Sequence, residues 1–147
     1  MTADAWTFYD KFFEHMGEEI HNLETDTIKM ALMLSTSNCT TTTLTDYSEL
    51  TNEHANNNGY TTGGVELTGP VISESGGTTT FDCTGDAVWT ASGGSIIARY
   101  AVVYNASAPS DDLICYTTMD NTPGDVTVTD GNTLTIALNA SGIFTIS

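Results

Sequence analysis

The sequence predicts a mainly β protein: an antiparallel β-sandwich of jelly-roll-like type with one N-terminal amphipathic helix. Short segments rich in β-branched and aromatic residues recur through residues 63–147, and Gly pairs or Gly-Pro separate them. Such regular spacing of strands and turn signals is typical of sandwiches and barrels. The 147 residues are expected to form a single domain, 1–147, which is long enough to bury one hydrophobic core.

The N-terminal helix is predicted over residues 3–21. Apolar residues recur there at spacings of three and four, the period of an amphipathic helix: Trp6, Tyr9, Phe13, Met16 and Ile20, with Phe12 widening the stripe. A face this aromatic must be covered by the sheet or by another subunit. We therefore expect partner contacts to come from Trp6, Tyr9, Phe12, Phe13 and Met16.

A half-buried strand is expected next, since apolar and polar residues alternate from Ile28 to Leu34. Residues 36–62 are predicted to form a long polar loop, with a short helical turn near Tyr47; loops of this length are usually functional, mobile or held by a partner. The β-rich body then spans 63–147. Within it, residues 96–104 are apolar on both faces apart from Arg99, which indicates a central strand covered on both sides.

One hairpin can be predicted in detail. Two apolar segments flank Asp130-Gly131-Asn132. A three-residue loop there pairs Val128 with Leu134 and brings the apolar side chains of both strands to one face, which should set the register.

The charge excludes several classes of function. The chain has 19 Asp and Glu, three Lys and Arg, and a net charge of -16. Such a field repels nucleic acid and anionic membranes. The longest uninterrupted apolar run is far shorter than a membrane span, and the N-terminus lacks the features of a signal peptide.

No strong catalytic, cofactor or metal signature is found. His15, His21 and His54 have no ligand at a suitable spacing and are expected at the surface or at helix ends. The three cysteines are interpreted as reduced, buried thiols rather than a disulfide framework. The acidic segments 111–112 and 120–125 are candidate calcium loops, with a solvated turn as the favoured interpretation.

Arg99, in the middle of a strand, is predicted to form a structural ion pair with a nearby carboxylate, with an inter-subunit contact as the alternative. Trp89, Tyr100, Tyr104 and Tyr116 could form a carbohydrate-binding face, although aromatic residues in strands more often belong to the core.

Several segments, taken in order, resemble a family of small virion structural proteins of tailed bacteriophages. They are YDKF (9–12), ETDTIKMAL (24–32), TNE (51–53), GYTTGGV (59–65), ARYAVVY (98–104), LICY (113–116) and NASGIFTI (139–146). The resemblance spans essentially the whole chain. The Thr-rich insertion and the extreme acidity depart from the family's pattern.

This resemblance implies a non-enzymatic, β-rich protein that is assembled into virions in the host cytoplasm. The acidity favours a position away from packed DNA. The leading hypothesis is a decoration (cement) protein on the outer head surface, oligomeric and preferably trimeric, that contacts the major capsid protein. The alternative is a tail or tail-fibre component that contacts tail proteins or binds host glycans. A hydrolytic β-sandwich enzyme is the least favoured hypothesis.

Overall fold

The computed structural model describes residues 2–122 and 124–147 and is mainly β, with antiparallel strands. Its single α-helix, α1, covers Phe12–Gly17, and a 3-10 turn covers Tyr47–Glu49. The strands, β1 to β12 in chain order, are Thr7–Phe8, Ile28–Met33, Val65–Glu66, Pro70–Ser75, Thr78–Cys83, Ala87–Thr90, Ile96–Ala98, Tyr100–Asn105, Asp112–Thr118, Val126–Val128, Thr133–Ile136 and Phe144–Ile146.

A five-stranded sheet in the order β1-β9-β8-β2-β3 is the centre of the fold. Three smaller sheets accompany it: β12-β5-β4, β11-β6 and β10-β7. The central position of β8 confirms the prediction for residues 100–104 only. Residues 96–98 form a separate strand, β7, in a two-stranded sheet, and Ile97 is exposed there.

Alternate residues of the central sheet enter two separate apolar clusters. Met30 and Leu32 of β2 belong to the main cluster, which also contains side chains from all three smaller sheets. Ala31 and Met33 point to the opposite face and belong to the second cluster. Strand β2 is therefore buried on both faces, rather than half-buried as its sequence pattern predicted.

The long polar segment 36–62 covers the second face of the central sheet. Four of its side chains, Cys39, Leu44, Tyr47 and Leu50, pack in the second cluster, whereas Tyr60 lies in the main cluster. The segment therefore contributes to the core of its own domain, and it includes the predicted short helical turn, observed at Tyr47–Glu49.

The predicted helix over 3–21 is wrong for most of its length. Thr7 and Phe8 pair with Tyr116 and Cys115 at the edge of the central sheet. Phe8 packs against the main cluster and Tyr9 lies in the second, so side chains alternate here with the period of a strand. Pairing with the sheet edge has overridden the helical spacing, and α1 ends at Gly17, shortly before Glu19 adopts a φ of 61°.

The predicted hairpin is also wrong. Val128 pairs with Ile96, whereas Leu134 pairs with Trp89, so the two strands lie in different small sheets. Asn132 N–H still donates to the Thr129 carbonyl and closes a turn, but the chain then crosses from one sheet to the other. Each strand pairs with a segment distant in sequence, and that pairing also buries its apolar side chains in the main cluster. Burial of these side chains therefore did not require the two strands to pair with each other.

Candidate partner-binding surface and buried polar networks

All five phenylalanines of the chain form one aromatic cluster. Neighbouring ring centroids lie 4.9–6.2 Å apart, mostly in tilted or edge-to-face arrangements. Strand β1, helix α1, β5 and β12 supply these rings, so the cluster joins the N- and C-terminal parts of the fold. Its members are Phe8, Phe12, Phe13, Phe81 and Phe144.

The phenylalanine cluster runs from the core to the surface. Phe81 and Phe12 are fully buried, Phe8 is half-buried, and Phe13 is 51% exposed. A half-exposed phenyl ring resting on other aromatic rings is an apolar surface that is already fixed in place. In a chain of net charge -16, it is a candidate contact for a partner.

The five predicted contact residues divide into two groups. Tyr9 and Phe12 are buried within the domain rather than exposed to a partner: Tyr9 donates its hydroxyl to the Cys39 carbonyl (2.7 Å), and Phe12 is in the main cluster. Phe13 is exposed, whereas Trp6 and Met16 are partly buried against the main cluster. The sequence pattern could not separate the buried from the exposed residues, because the prediction treated 3–21 as one continuous helix.

A groove of about 590 Å³ adjoins the phenylalanine cluster. The segment leading into β1 lines one part of it with Asp4 and Trp6, and β12 contributes Phe144 and Thr145. Asp4 is the only charged residue among those that line the groove. Sequence inspection did not identify this groove, since its two sides lie about 140 residues apart in the chain.

Two histidines that looked unrelated in the sequence lie together in the structure. The rings of His15 and His21 have centroids 5.9 Å apart, because the chain turns back after α1. His15 Nδ1 lies 3.0 Å from Asp112 Oδ1. His21 is buried beside a cavity of about 540 Å³, which also corrects the expectation of a surface histidine.

Asn105 determines which nitrogen of His21 carries the proton. Its Oδ1 accepts hydrogen bonds from the backbone N–H groups of Ser107 and Ala108, which fixes the orientation of the amide. Its Nδ2 therefore donates to Asp26 (2.6 Å) and to His21 Nδ1 (3.0 Å). Neutral His21 thus has its proton on Nε2, a buried atom without a hydrogen-bond partner among the described residues.

Burial lowers the pKa of His21, and nearby His15 lowers it further, whereas Asp112 and Asp26 act in the opposite direction. A proton added at Nδ1 would also face the Asn105 amide hydrogens. The network therefore favours neutral His21. Within the residues that the structure describes, no group of three His, Cys, Asp or Glu side chains is arranged to hold a metal ion.

A second network is centred on Glu53. Its carboxylate accepts hydrogen bonds from the hydroxyls of Tyr47 and Tyr60 and from the backbone N–H of Gly63, at 2.6 Å for Tyr60 and 2.7 Å for Gly63. Tyr104 donates its hydroxyl to the Gly63 carbonyl (2.8 Å) and stacks on Tyr47. Burial and the contact with Glu53 raise the pKa of both Tyr47 and Tyr60, so these hydroxyls remain donors.

His54 is also buried, again contrary to the expectation of a surface position. Its Nδ1 lies 2.8 Å from the Ala55 carbonyl, and its ring packs beside Tyr60. It thus belongs to the structural surroundings of the Glu53 network.

The remaining candidate residues, namely Arg99, the aromatic residues of the strands and the cysteines, take part in structural contacts. Arg99 Nε lies 2.9 Å from Asp125 Oδ1, in a partly exposed ion pair. Trp89 and Tyr104 are buried, which agrees with the favoured interpretation of core aromatic residues rather than with the alternative of a carbohydrate-binding face. The three cysteines are buried and unpaired, and burial raises the pKa of Cys39 to about 11 and that of Cys83 to about 12.

The two acidic segments have different surroundings. Asp112 is buried against His15. Asp120 Oδ1 accepts from the backbone and hydroxyl of Thr122, and these bonds lower its pKa. Residue 123, inside the second candidate segment (120–125), lies outside the described residues.

Among residues 2–122 and 124–147, no helix has the length and hydropathy needed to cross a membrane. Comparison with known proteins produced no match to a protein-family model, to a curated protein or to a solved structure.

Proposed function

We propose that this chain is a non-enzymatic structural protein of a bacteriophage virion, a decoration (cement) protein on the outer surface of the head that contacts the major capsid protein. The observation that carries this proposal is the half-exposed Phe13 at the surface end of the phenylalanine cluster. Buried aromatic residues are frequent anchors of protein interfaces. A preformed aromatic surface on a highly anionic domain suits attachment to another protein.

The charge supports a position on the outside of the particle. With a net charge of -16, the chain repels packed DNA and anionic membranes. The resemblance to small virion proteins supports the same assignment. Assembly would take place in the host cytoplasm, without a cofactor or bound metal.

The proposal also includes a β-sandwich of jelly-roll-like type and a homotrimer. The main apolar cluster contains side chains from the central sheet and from all three smaller sheets, as two packed β-layers would require. A trimer would bring three Phe13 side chains to the particle at once, and the resulting avidity would offset a modest affinity at each site.

The energy available from Phe13 can be estimated. A phenylalanine side chain buries about 200 Å² when it is fully enclosed, and 51% of Phe13 is exposed. Covering the remaining area of about 100 Å² contributes about 2.5 kcal/mol. Removing the ring should therefore weaken attachment at each site by up to about 60-fold.

The test uses purified virions and matched variants. Phe13→Ser should abolish or strongly reduce incorporation, whereas Val88→Ser, at a residue 48% exposed on β6, should not. Quantitative mass spectrometry should find hundreds of copies per particle, and cryo-electron microscopy should locate them on the head. Density only on the tail, a few tens of copies, or equal incorporation of the two variants would contradict the proposal.

A further inference from the structure

Two sheets of the fold end in short edge strands that lie side by side. In the described part of the chain, β1 pairs only with β9, and β12 pairs only with β5. The rings of Phe8 on β1 and Phe144 on β12 meet edge-to-face at 5.5 Å. Each strand has one edge without a strand partner, and an unpaired edge presents backbone N–H and C=O groups that can bind an added strand.

The groove of about 590 Å³ lies beside these two strands. Phe8 and Phe144 line it from the two sheets, Trp6 adds an indole that is only partly buried, and Ala137 leaves space near the end of β11. The groove therefore combines a free strand edge with apolar surface, as required when an extended peptide adds to a sheet.

The charge of the groove indicates the chemistry of its occupant. Asp4 is the only charged lining residue, and the whole chain has 19 acidic residues against three Lys and Arg. An acidic segment would be repelled, and a second copy of this chain would bring another 16 net negative charges. A segment that combines apolar with basic side chains would be attracted to the site.

We propose that the groove binds an extended segment of a partner protein, with alternating apolar and basic residues, as an added strand against the free edge of β12. Because strand side chains alternate between faces, one set of side chains would lie on Phe8, Trp6 and Phe144 while the other remains available to Asp4 and solvent. The inference rests on the proposed role as a docking protein, and it names the kind of segment that docks.

The experiment uses the isolated protein and three blocked eight-residue peptides, so it does not depend on virions. One peptide alternates Lys and Val, the second has the same composition in two blocks, and the third alternates Glu and Val. The alternating Lys-Val peptide should bind at least tenfold more tightly than the other two in 0.15 M salt. It should also slow hydrogen exchange at residues 144–146.

Matched variants separate the groove from general electrostatic attraction. Ala137→Arg places a cation and a long side chain in the groove and should weaken peptide binding at least tenfold. Ala140→Arg makes the same change at an exposed residue that does not line the groove, and binding should change less than twofold. Asp4→Asn should weaken binding about two- to fivefold, as expected for a partly exposed charge pair.

Three results would overturn the inference. Equal binding of the two Lys-containing peptides would indicate diffuse attraction to the acidic surface. Equal effects of Ala137→Arg and Ala140→Arg would exclude the groove. Concentration-dependent dimers that Ala137→Arg abolishes would identify the occupant as a second copy. Any of these could occur while the protein still decorates the head, so failure of this inference is distinguishable from failure of the proposed function.

Discussion

Replacing Glu53 with alanine should destabilise the protein more than its position in a polar loop suggests. The Glu53 carboxylate accepts hydrogen bonds from Tyr47 and Tyr60 of the segment that covers the central sheet, and from Gly63, which directly follows that segment. Tyr60 is buried, and its hydroxyl also accepts a hydrogen bond from Leu32 N–H on β2 (3.0 Å). The carboxylate therefore connects the covering segment to the central sheet.

The magnitude follows from the donors that Glu53→Ala would leave without a partner. A buried donor without an acceptor costs about 1–3 kcal/mol. We assign the buried Tyr60 hydroxyl about 2 kcal/mol, Gly63 N–H about 1 kcal/mol and the half-buried Tyr47 hydroxyl up to about 1 kcal/mol on this scale. The sum is about 3–4 kcal/mol, and for a domain of this size it corresponds to a fall in Tm of roughly 6–16 °C.

The assay is urea unfolding monitored by circular dichroism, together with measurement of hydrogen exchange in residues 36–62. Glu53→Gln keeps one acceptor oxygen and should lose less than half as much stability as Glu53→Ala. Glu66→Ala, at an exposed glutamate of β3, is the control and should change stability by less than about 0.5 kcal/mol. A loss below about 1 kcal/mol for Glu53→Ala, with exchange of residues 36–62 unchanged, would refute the reasoning.

Three further outcomes are expected. The pKa of His21 is lowered in the folded state, so the unfolded chain binds more protons at acidic pH. The free energy of unfolding should therefore fall as pH drops below about 6.5. Urea midpoints measured at pH 7.5 and pH 5 should differ less in His21→Gln than in the parent protein. Gly64→Ala would place a Cβ 1.8 Å from a backbone carbonyl oxygen at a φ of 72° and should lower the free energy of unfolding by about 3 kcal/mol. Gly76→Ala is the control, because Gly76 has a similar φ but open space around it, and thermal melts should show a much smaller loss of stability. Arg99→Gln should lose up to about 1 kcal/mol by removing the pair with Asp125, and the loss measured in urea should shrink in 0.5 M salt.

The strands could be predicted because their signals are local. Alternating apolar residues and intervening glycines mark most of the strands in the body, from Val65–Glu66 to Phe144–Ile146. Their pairing could not be predicted in the same way. The apolar residues of β10 and β11 are compatible with a hairpin, but both strands pair with distant segments that also bury them in the main cluster.

The N-terminal error has a different physical origin. Phe8 stands directly before Tyr9 of the predicted helical stripe, and a strand directs two consecutive side chains to opposite faces. The sequence contains no information about an unpaired edge at β9, and it is this edge that makes the extended conformation favourable. Which of the aromatic residues face solvent depends on that pairing.

The buried networks were missed because their members are distant in the chain. His21 meets Asn105, and Glu53 meets residues on both sides of it across a folded loop. A signal was present in retrospect for two of them: Asn105 follows Tyr104, and Glu53 lies between Tyr47 and Tyr60, where burial requires hydrogen-bonded partners. The sequence alone placed His21 at the surface or at a helix end and Glu53 in a polar loop.

The acidity of the chain therefore has two separate roles. Within the described residues, the ion pairs are Lys11–Glu14, His15–Asp112 and Arg99–Asp125, so few carboxylates have a cationic partner. Carboxylates such as those of Glu53 and Asp26 instead accept hydrogen bonds from hydroxyl, amide and backbone groups. The fold therefore contains few ion pairs of its own, and in the proposed docking role its excess negative charge would favour a basic partner. An apolar contact at Phe13 would then supply affinity, while charge would determine which proteins can approach.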